Sequence, residues 1–272
     1  MNQFSVLMSI YYKEKPEYFN RAMQSIWDDQ TIKPNEIVLV QDGKLTLELY
    51  EEIKKWKEKL KDVFITVPLE QNVGLGDALN IGVQHCCYDL IARMDTDDIS
   101  LPYRFEKQLK VFENNNVDVS SAWISEFVCS ENEILRYRKL PQNHNDIIKY
   151  AKTRCPINHP VVMYKKAVVQ NSGGYQKMML MEDYYLWGRM IVQGAKFYNI
   201  QEVLLNMRAG DDMLKRRSGI VYVKSELTLL KEFRNIGFIS TLELIKNMFI
   251  RVPVRLMPIK ILKIVYSIIR SL

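Results

Sequence analysis

The chain has 272 residues, 47% hydrophobic and 26% charged, which suits one large α/β domain with a real core and excludes a disordered chain. The net charge of +6 sits almost wholly in the C-terminal segment, where residues 239–272 hold six basic side chains against Glu243 alone. A body so near neutral argues against a nucleic-acid binder, which needs a basic face on the folded domain.

Cys86, Cys87, Cys129 and Cys155 form no C-x-x-C pair. They read as reduced thiols in or near the core of a cytosolic protein, not as a disulfide framework or zinc site. The N-terminus has neither the basic region nor the apolar run of a signal peptide. No stretch reaches the roughly 18–20 uncharged apolar residues of a membrane-spanning helix.

In chain order, Phe4–Ile10 is an apolar run that predicts a buried strand. Pro16–Trp27 follows with Phe19, Met23, Ile26 and Trp27 on one helical face. Glu36–Val40 is a second strand, stopped by the turn signal Gln41-Asp42-Gly43. Leu47–Lys61 is a charged amphipathic helix, Val63–Val67 a third strand and Gly74–Gln84 a helix entered from a glycine-containing loop. Asp89–Met94 is a fourth strand ending at Asp95, and Leu101–Asn114 is helical with Pro102 near its first turn. This alternation predicts a mostly parallel sheet covered by helices, with ligands bound beyond the carboxyl ends of the strands. Asp42 and Asp95 both sit at such ends.

The second half is more mixed. It predicts a strand or strand pair over Val117–Cys129, a helix over His144–Thr153 and a short strand over Val161–Tyr164 leading into Lys165–Asn171. A turn at Gly173-Gly174, a helix over Glu182–Gln193, a strand over Lys196–Leu205 and a helix over Ser218–Arg234 complete the body.

Asp95-Thr96-Asp97-Asp98 places three carboxylates within four residues. Gathered like charges call for a divalent cation, and hard oxygens suit Mg²⁺ or Mn²⁺. The alternative is a helix cap at Asp97, Asp98 or Ser100. Glu182-Asp183 starts a helix; it suits a general base and equally a plain helix-dipole preference. Asn72-Val73-Gly74-Leu75-Gly76 resembles a ligand loop, but Leu79 spoils G-x-G-x-x-G. Arg208, Lys215, Arg216 and Arg217 surround Gly210-Asp211-Asp212 and could close over a diphosphate or simply be a solvated loop. His85, His144 and His159 share no metal-ligand spacing.

Together, SVLMSIYYKEKPEYFNRAMQSI, EIVLVQDG, QNVGLGDALNIG, IARMDTDD, INHPVVMYKK with GGY, and MEDYYLW resemble glycosyltransferase family 2 over residues 4–217. The nearest flavour is the bacterial enzymes of O-antigen, capsule or exopolysaccharide synthesis. The resemblance implies the inverting GT-A fold, an α/β Rossmann-like sheet flanked by helices, with a nucleotide-sugar donor. Family membership favours UDP, with galactose, glucose or an N-acetylhexosamine all open. It implies that Asp42 recognises the base and that Gly74, Asn80 and Arg93 line the nucleotide pocket. Asp95 and Asp97 fall on the D-x-D pair, with Asp97 the metal ligand and Asp95 shared between ribose and metal. Asp183, beside Glu182, falls on the general base; His159 and Trp187 fall on the acceptor side. Arg208 and Lys215–Arg217 fall on the basic loop that closes on the pyrophosphate. Tyr11-Tyr12-Lys13 and Gln41 depart from the common pattern and touch the base contacts.

The expected division is a catalytic domain over 1–217, a connecting helix over 218–238 and a basic amphipathic tail over 239–272. In the tail Val254, Met257, Ile261, Ile264, Val265 and Ile268 share an arc of about 100° at ~3.6 residues per turn. Pro253 and Pro258 are expected to break it into pieces. The tail suits an anionic membrane surface, and with it a lipid-linked acceptor and a peripheral position on the cytoplasmic face; an ordinary packed helix is the alternative. A non-catalytic subunit of an assembly complex would show a degraded D-x-D or E-D motif, and both are intact. A nucleotidyltransferase would need a glycine-rich, lysine-containing loop that SIYYKEKPEY lacks.

Overall fold

The computed structural model describes residues 2–209 and 218–257. In chain order the first half is β1 (Phe4–Ile10), α1 (Pro16–Ile26), β2 (Glu36–Gln41), α2 (Leu47–Leu60), β3 (Phe64–Pro68), α3 (Leu75–His85), β4 (Leu90–Arg93), β5 (Ile99–Ser100) and α4 (Arg104–Asn114). The second half is β6 (Val119–Phe127), β7 (Ile134–Arg138), α5 (His144–Ala151), β8 (Met163–Lys165), α6 (Lys166–Asn171), α7 (Glu182–Val192), β9 (Phe197–Arg208), α8 (Gly219–Asn235) and α9 (Thr241–Leu256).

The strands make one sheet in the order β3-β2-β1-β4-β8-β6-β9-β5, with β7 added beside β6. β3, β2, β1 and β4 run parallel, as expected of strands linked by crossover helices. β8 then runs antiparallel to both β4 and β6, while β6 and β9 are parallel. The whole is the α/β sheet flanked by helices expected of a GT-A fold.

Side-chain alternation divides the core between the two faces of the sheet. Phe4, Val6, Met8 and Ile10 of β1 pack in one cluster with Phe19 and Met23 of α1, Ile53 and Trp56 of α2, and Phe105 of α4. Leu7 of β1 and Val38 and Val40 of β2 face the other way, against Ala78 and Leu79 of α3 and Leu186 and Trp187 of α7. A third cluster joins Tyr184 and Tyr185 of α7 to Leu229, Leu230 and Phe233 of α8. Here Gly188 is required by close approach: a Cβ on it would lie 2.4 Å from Phe233 Cε1.

Three differences from the sequence expectations matter. The two-residue strand β5 interrupts the run into α4, pairing Ile99 with Asn206 and Ser100 with Leu205 of β9. The strand or strand pair expected over 117–129 is the single long β6, and its partner β7, beyond Cys129, is not among the expected elements. And α9 runs through Pro253 to Leu256 without breaking, ending just before Pro258. Pro253 is exposed, as is Phe249, the residue whose carbonyl loses its helical N–H partner. Of the expected apolar arc, Val254 and Met257 are half-buried, and its other members lie outside the described residues.

Candidate active site

The carboxyl ends of β1, β2 and β4 form one rim. Asp42 N–H donates to Ile10 O at 2.7 Å and Met94 N–H to Leu7 O at 3.0 Å, so the chains leaving all three strands stay together. Asp42, Asp95 and Glu14 follow these strand ends.

Asp95 forms a bidentate pair with Arg93, whose side chain is only 2% exposed. Asp97 stands on the same turn. Its carboxyl is pushed up to about 7, first by burial and then by the charges of Asp95 and Glu14, with Arg208 opposing. Asp98 is buried; its Oδ1 accepts the backbone N–H of Arg208 at 2.8 Å. Burial, with Asp95 and Asp97 next, holds its carboxyl well above the ordinary range. Asp98 is thus the structural member, tying the β4–β5 turn to the end of β9.

That tie delivers Arg208. Its Nε donates to Asp97 O at 3.2 Å, and its guanidinium lies 3.8 Å above the Tyr18 ring and 4.6 Å from that of Phe127. The cation–π seat holds the charge beside the acidic turn. Lys215, Arg216 and Arg217 lie outside the described residues.

Asp42 is buried, and its carboxylate accepts from Asn72 Nδ2 at 2.9 Å, Val73 N at 2.7 Å and Gly74 N at 3.2 Å. It shapes the loop entering α3 and keeps little acceptor capacity for a base. Gly74 caps α3 at φ 89, in the left-handed region.

The Asn80 amide, expected at the nucleotide pocket, is engaged by backbone. Its Nδ2 donates to Tyr175 O at 2.5 Å and its Oδ1 accepts from Tyr175 N at 2.7 Å. The amide clamps α3 to the turn at Gly174, where φ is 62 and a Cβ would fall 2.5 Å from Asn80 Oδ1.

The clamp places the start of α7. Glu182 packs against Gly76 in the first turn of α3, and burial, then its own backbone, then Asp183 set its carboxyl, with a net rise. Leu180, two residues earlier, adopts φ 64, a costly conformation for a non-glycine residue that turns the chain sharply into the helix. Asp183 Oδ1 accepts the N–H of Tyr184 at 2.7 Å, and Oδ2 lies 3.8 Å from Cys155 Sγ. Burial, then Asp183, pushes the Cys155 thiol up to about 12, so it stays protonated and points a weak donor at the carboxylate.

Tyr175 joins the two acidic groups. Burial raises its hydroxyl, Arg93 and Tyr164 oppose, and both Asp183 and Asp95 add to the rise. Both carboxylates, 88 residues apart in sequence, thus act electrostatically on one buried phenol. Tyr175 OH is 2.8 Å from His159 Nε2, and burial, then Arg93, keep that imidazole neutral. Trp187, expected on the acceptor side, is 0% exposed and cannot touch an acceptor; its ring backs His159 at 6.0 Å.

Sequence reasoning missed Glu14, Cys155 and Tyr175. Glu14 accepts from Thr96 Oγ1 at 2.6 Å and adds charge against Asp97. Its signal was its position: it follows β1 as Asp42 follows β2 and Asp95 follows β4. Cys155 and Tyr175 carried no such signal.

Among the described residues, no three His, Cys, Asp or Glu side chains form a ready metal cage. A hard cation of the Mg²⁺ or Mn²⁺ type needs none, since one or two carboxylates plus substrate phosphates hold it. The elevated Asp97 beside Asp95 fits that mode.

A mostly parallel sheet with an acidic turn and a cation at its carboxyl rim, and a second carboxylate pair at the start of α7, fits a GT-A type of transferase. The chain belongs to glycosyl transferase family 2, whose family model matches residues 5–171, and it is a glycosyltransferase. It is 41% identical over 269 residues to amylovoran biosynthesis glycosyltransferase AmsE of Erwinia amylovora, covering 97% of this chain and 98% of that one. It is 40% identical over 257 residues to the UDP-Gal:alpha-D-GlcNAc-diphosphoundecaprenol beta-1,3-galactosyltransferase of Escherichia coli, covering 94% and 92%. Among solved structures, Staphylococcus aureus TarS 1-349 with UDP-GlcNAc matches at TM-score 0.64 and 16% identity, over 85% of this chain and 66% of that one. The mannosyltransferase PcManGT of Pyrobaculum calidifontis, with GDP-Man and Mn²⁺, matches at 0.64 and 14%, over 85% and 64%. These structural likenesses concern the fold.

Proposed function

We propose that the protein transfers a hexose from a UDP-sugar to a saccharide carried on a lipid diphosphate, with inversion, in the synthesis of a bacterial surface polysaccharide. The donor is UDP-galactose, UDP-glucose or a UDP-N-acetylhexosamine. The observation that carries this reading is the acidic Asp95–Asp98 turn beyond β4, with Arg208 held against it. Similarity across nearly the full length to a galactosyltransferase named for a diphosphoundecaprenol acceptor supports the lipid-linked substrate.

Asp183 is the general base. As the acceptor oxygen attacks the anomeric carbon, its proton passes to Asp183, the new C–O bond forms, and the opposite bond to the diphosphate breaks with its electron pair leaving on phosphate oxygen. The amide of Tyr184 and the thiol of Cys155 hold the carboxylate in one orientation. Arg208 offers positive charge to the leaving group. Asp95 and Asp97 are the residues that would hold a bound Mn²⁺ or Mg²⁺, which supplies charge neutralisation for the departing diphosphate. The neutral His159 borders the acceptor side.

A lipid-linked acceptor sets the protein on the cytoplasmic face of the plasma membrane as a peripheral protein. No helix among the described residues is long and apolar enough to cross a membrane. The test is transfer from a panel of labelled UDP-sugars to a synthetic saccharide-diphosphate-lipid, with Mn²⁺ or Mg²⁺. Wild type is expected to transfer one of them. Asp97→Asn and Asp183→Asn are expected to lose transfer while staying folded, the latter by roughly 10²–10⁴-fold. Normal turnover in both variants, or none by wild type across the panel, overturns the reading.

A further inference from the structure

Helix α9 is amphipathic in the reverse sense. Its polar side chains face the body of the protein. Glu243 pairs with Lys152 at 2.7 Å, and Asn247, only 2% exposed, donates to Lys152 O at 2.9 Å. Arg251 and Arg255 reach Glu226 of α8 at 2.5 and 3.1 Å. The apolar side chains face outward. Leu242, Ile245, Phe249 and Leu256 recur at spacings of three, four and seven and are 79, 45, 78 and 54% exposed. On a period of ~3.6 residues this stripe lies opposite the Glu243–Asn247–Arg251 face. A helix packed by its polar side leaves the apolar side for something outside the fold.

The surroundings of the stripe indicate what covers it. Between α5 and α9 lies a cleft of about 320 Å³ lined by Lys149, Lys152, Thr153, Glu243, Lys246 and Asn247. Glu243 pairs with Lys152, and its other oxygen accepts the Ser240 N–H at 2.7 Å. Lys149 is 79% exposed, with Asp146 no nearer than 3.7 Å, and among the described residues no carboxylate pairs with Lys246. Lys246 itself stands inside the stripe, one turn from Leu242, Phe249 and Ile250. Past Met257 the sequence carries Lys260, Lys263 and Arg270 and no acidic residue, so the positive sign continues. Cations at the edge of an exposed apolar stripe match an anionic bilayer, where phosphates meet the acyl region.

We propose that α9 docks on an anionic phospholipid surface, with Leu242, Ile245, Phe249 and Leu256 entering the interface and Lys149 and Lys246 meeting lipid phosphates. The proposal rests on the lipid-linked acceptor reading and names the surface that reading left to the whole tail. It also ties docking to the site. Asn247 holds the end of α5 through Lys152 O, and the adjacent Ala151 O accepts Tyr184 OH at 2.6 Å, next to Asp183.

The test uses the full chain in flotation with phosphatidylcholine vesicles, with and without phosphatidylglycerol, beside turnover on a short, water-soluble acceptor. Wild type is expected to float with the anionic vesicles only. Lys149→Ala/Lys246→Ala is expected to lower partitioning roughly 25-fold, about fivefold per lysine. Phe249→Ser is expected to lower it roughly tenfold or more. Both variants should turn over the soluble acceptor like wild type. Equal flotation of wild type and both variants overturns the proposal, as does equal binding to neutral vesicles. So does a Phe249→Ser variant that melts lower yet floats normally, because the stripe is then covered by the chain itself. So does loss of flotation in Lys260→Ala/Lys263→Ala alone, which moves docking to the last residues. A wild type that floats with the expected variant dependence but transfers no sugar upholds the docking surface and sinks the functional reading instead.

Discussion

Asp97 is held at a cost that depends on its charge. Burial and the charges of Asp95 and Glu14 raise its carboxyl from 3.8 to about 7. A raised carboxyl binds its proton more tightly folded than unfolded. Its stabilising contribution is therefore complete below the unfolded value and is lost as pH rises through about 7. Asp97→Asn removes the charge and keeps the shape. In the absence of divalent ions the variant is expected to melt above wild type at mildly alkaline pH, and the gap is expected to close as pH falls below the unfolded value. Thermal melts of both proteins across that range check it; a gap independent of pH would refute the electrostatic account. Asn80 shows the other kind of site residue, one that acts through position. Asn80→Ala frees the Gly174–Tyr175 turn from α3 and leaves Asp95 and Asp97 alone. Its expected mark is a fall in kcat with donor affinity largely kept, read from steady-state kinetics and a donor titration.

Helix α7 carries the proposed base at its first turn and is fixed at its middle by α8. Gly188 meets Phe233, whose ring lies 5.0 Å from Tyr184 and 6.3 Å from Tyr185. A methyl at Gly188 overpacks this seam, so Gly188→Ala is expected to cost about 1–3 kcal/mol in urea unfolding. The elements that sequence alone made legible are those whose partners are close in sequence. β1, β2 and β4 are short apolar runs between turn signals, and they appear within a residue or two of their expected bounds. α3 and α7 announce themselves by apolar spacing and by the glycines before them. The rim that gathers Asp42 and Asp95 follows from parallel crossovers alone. What stayed hidden depends on distant pairing. β5 has two residues and exists only because β9 lies beside it, and that pairing is what seats Arg208. Trp187 and Asn80 fall inside recognisable motifs, yet a motif does not tell which way a side chain points. Local rules predict a break at Pro253, yet α9 runs through it to Leu256.

At the scale of the whole molecule, the catalytic sheet ends with β9, and the C-terminal helices reach it through α7. α8 packs on α7 through an apolar cluster, whereas α9 packs on α8 through charge. Glu226 is 0% exposed and sits between two arginines whose side chains are 12 and 13% exposed. A buried group of this kind adds little net stability over an apolar replacement, but removing one member leaves buried charge unpaired. It does fix one orientation: only with Arg251 and Arg255 turned inward does the apolar stripe of α9 face out. Glu226→Ala takes the shared carboxylate from both guanidinium groups and is expected to cost about 3–5 kcal/mol. α9 is expected to open first and from its C-terminal half, since Asn247 and the Lys152–Glu243 pair hold its first two turns. Trypsin should then cut at Lys246, Arg251 or Arg255 well before the sheet unfolds, while wild type resists at the two arginines. Equal cleavage in the two proteins would mean that α9 is held by something other than Glu226.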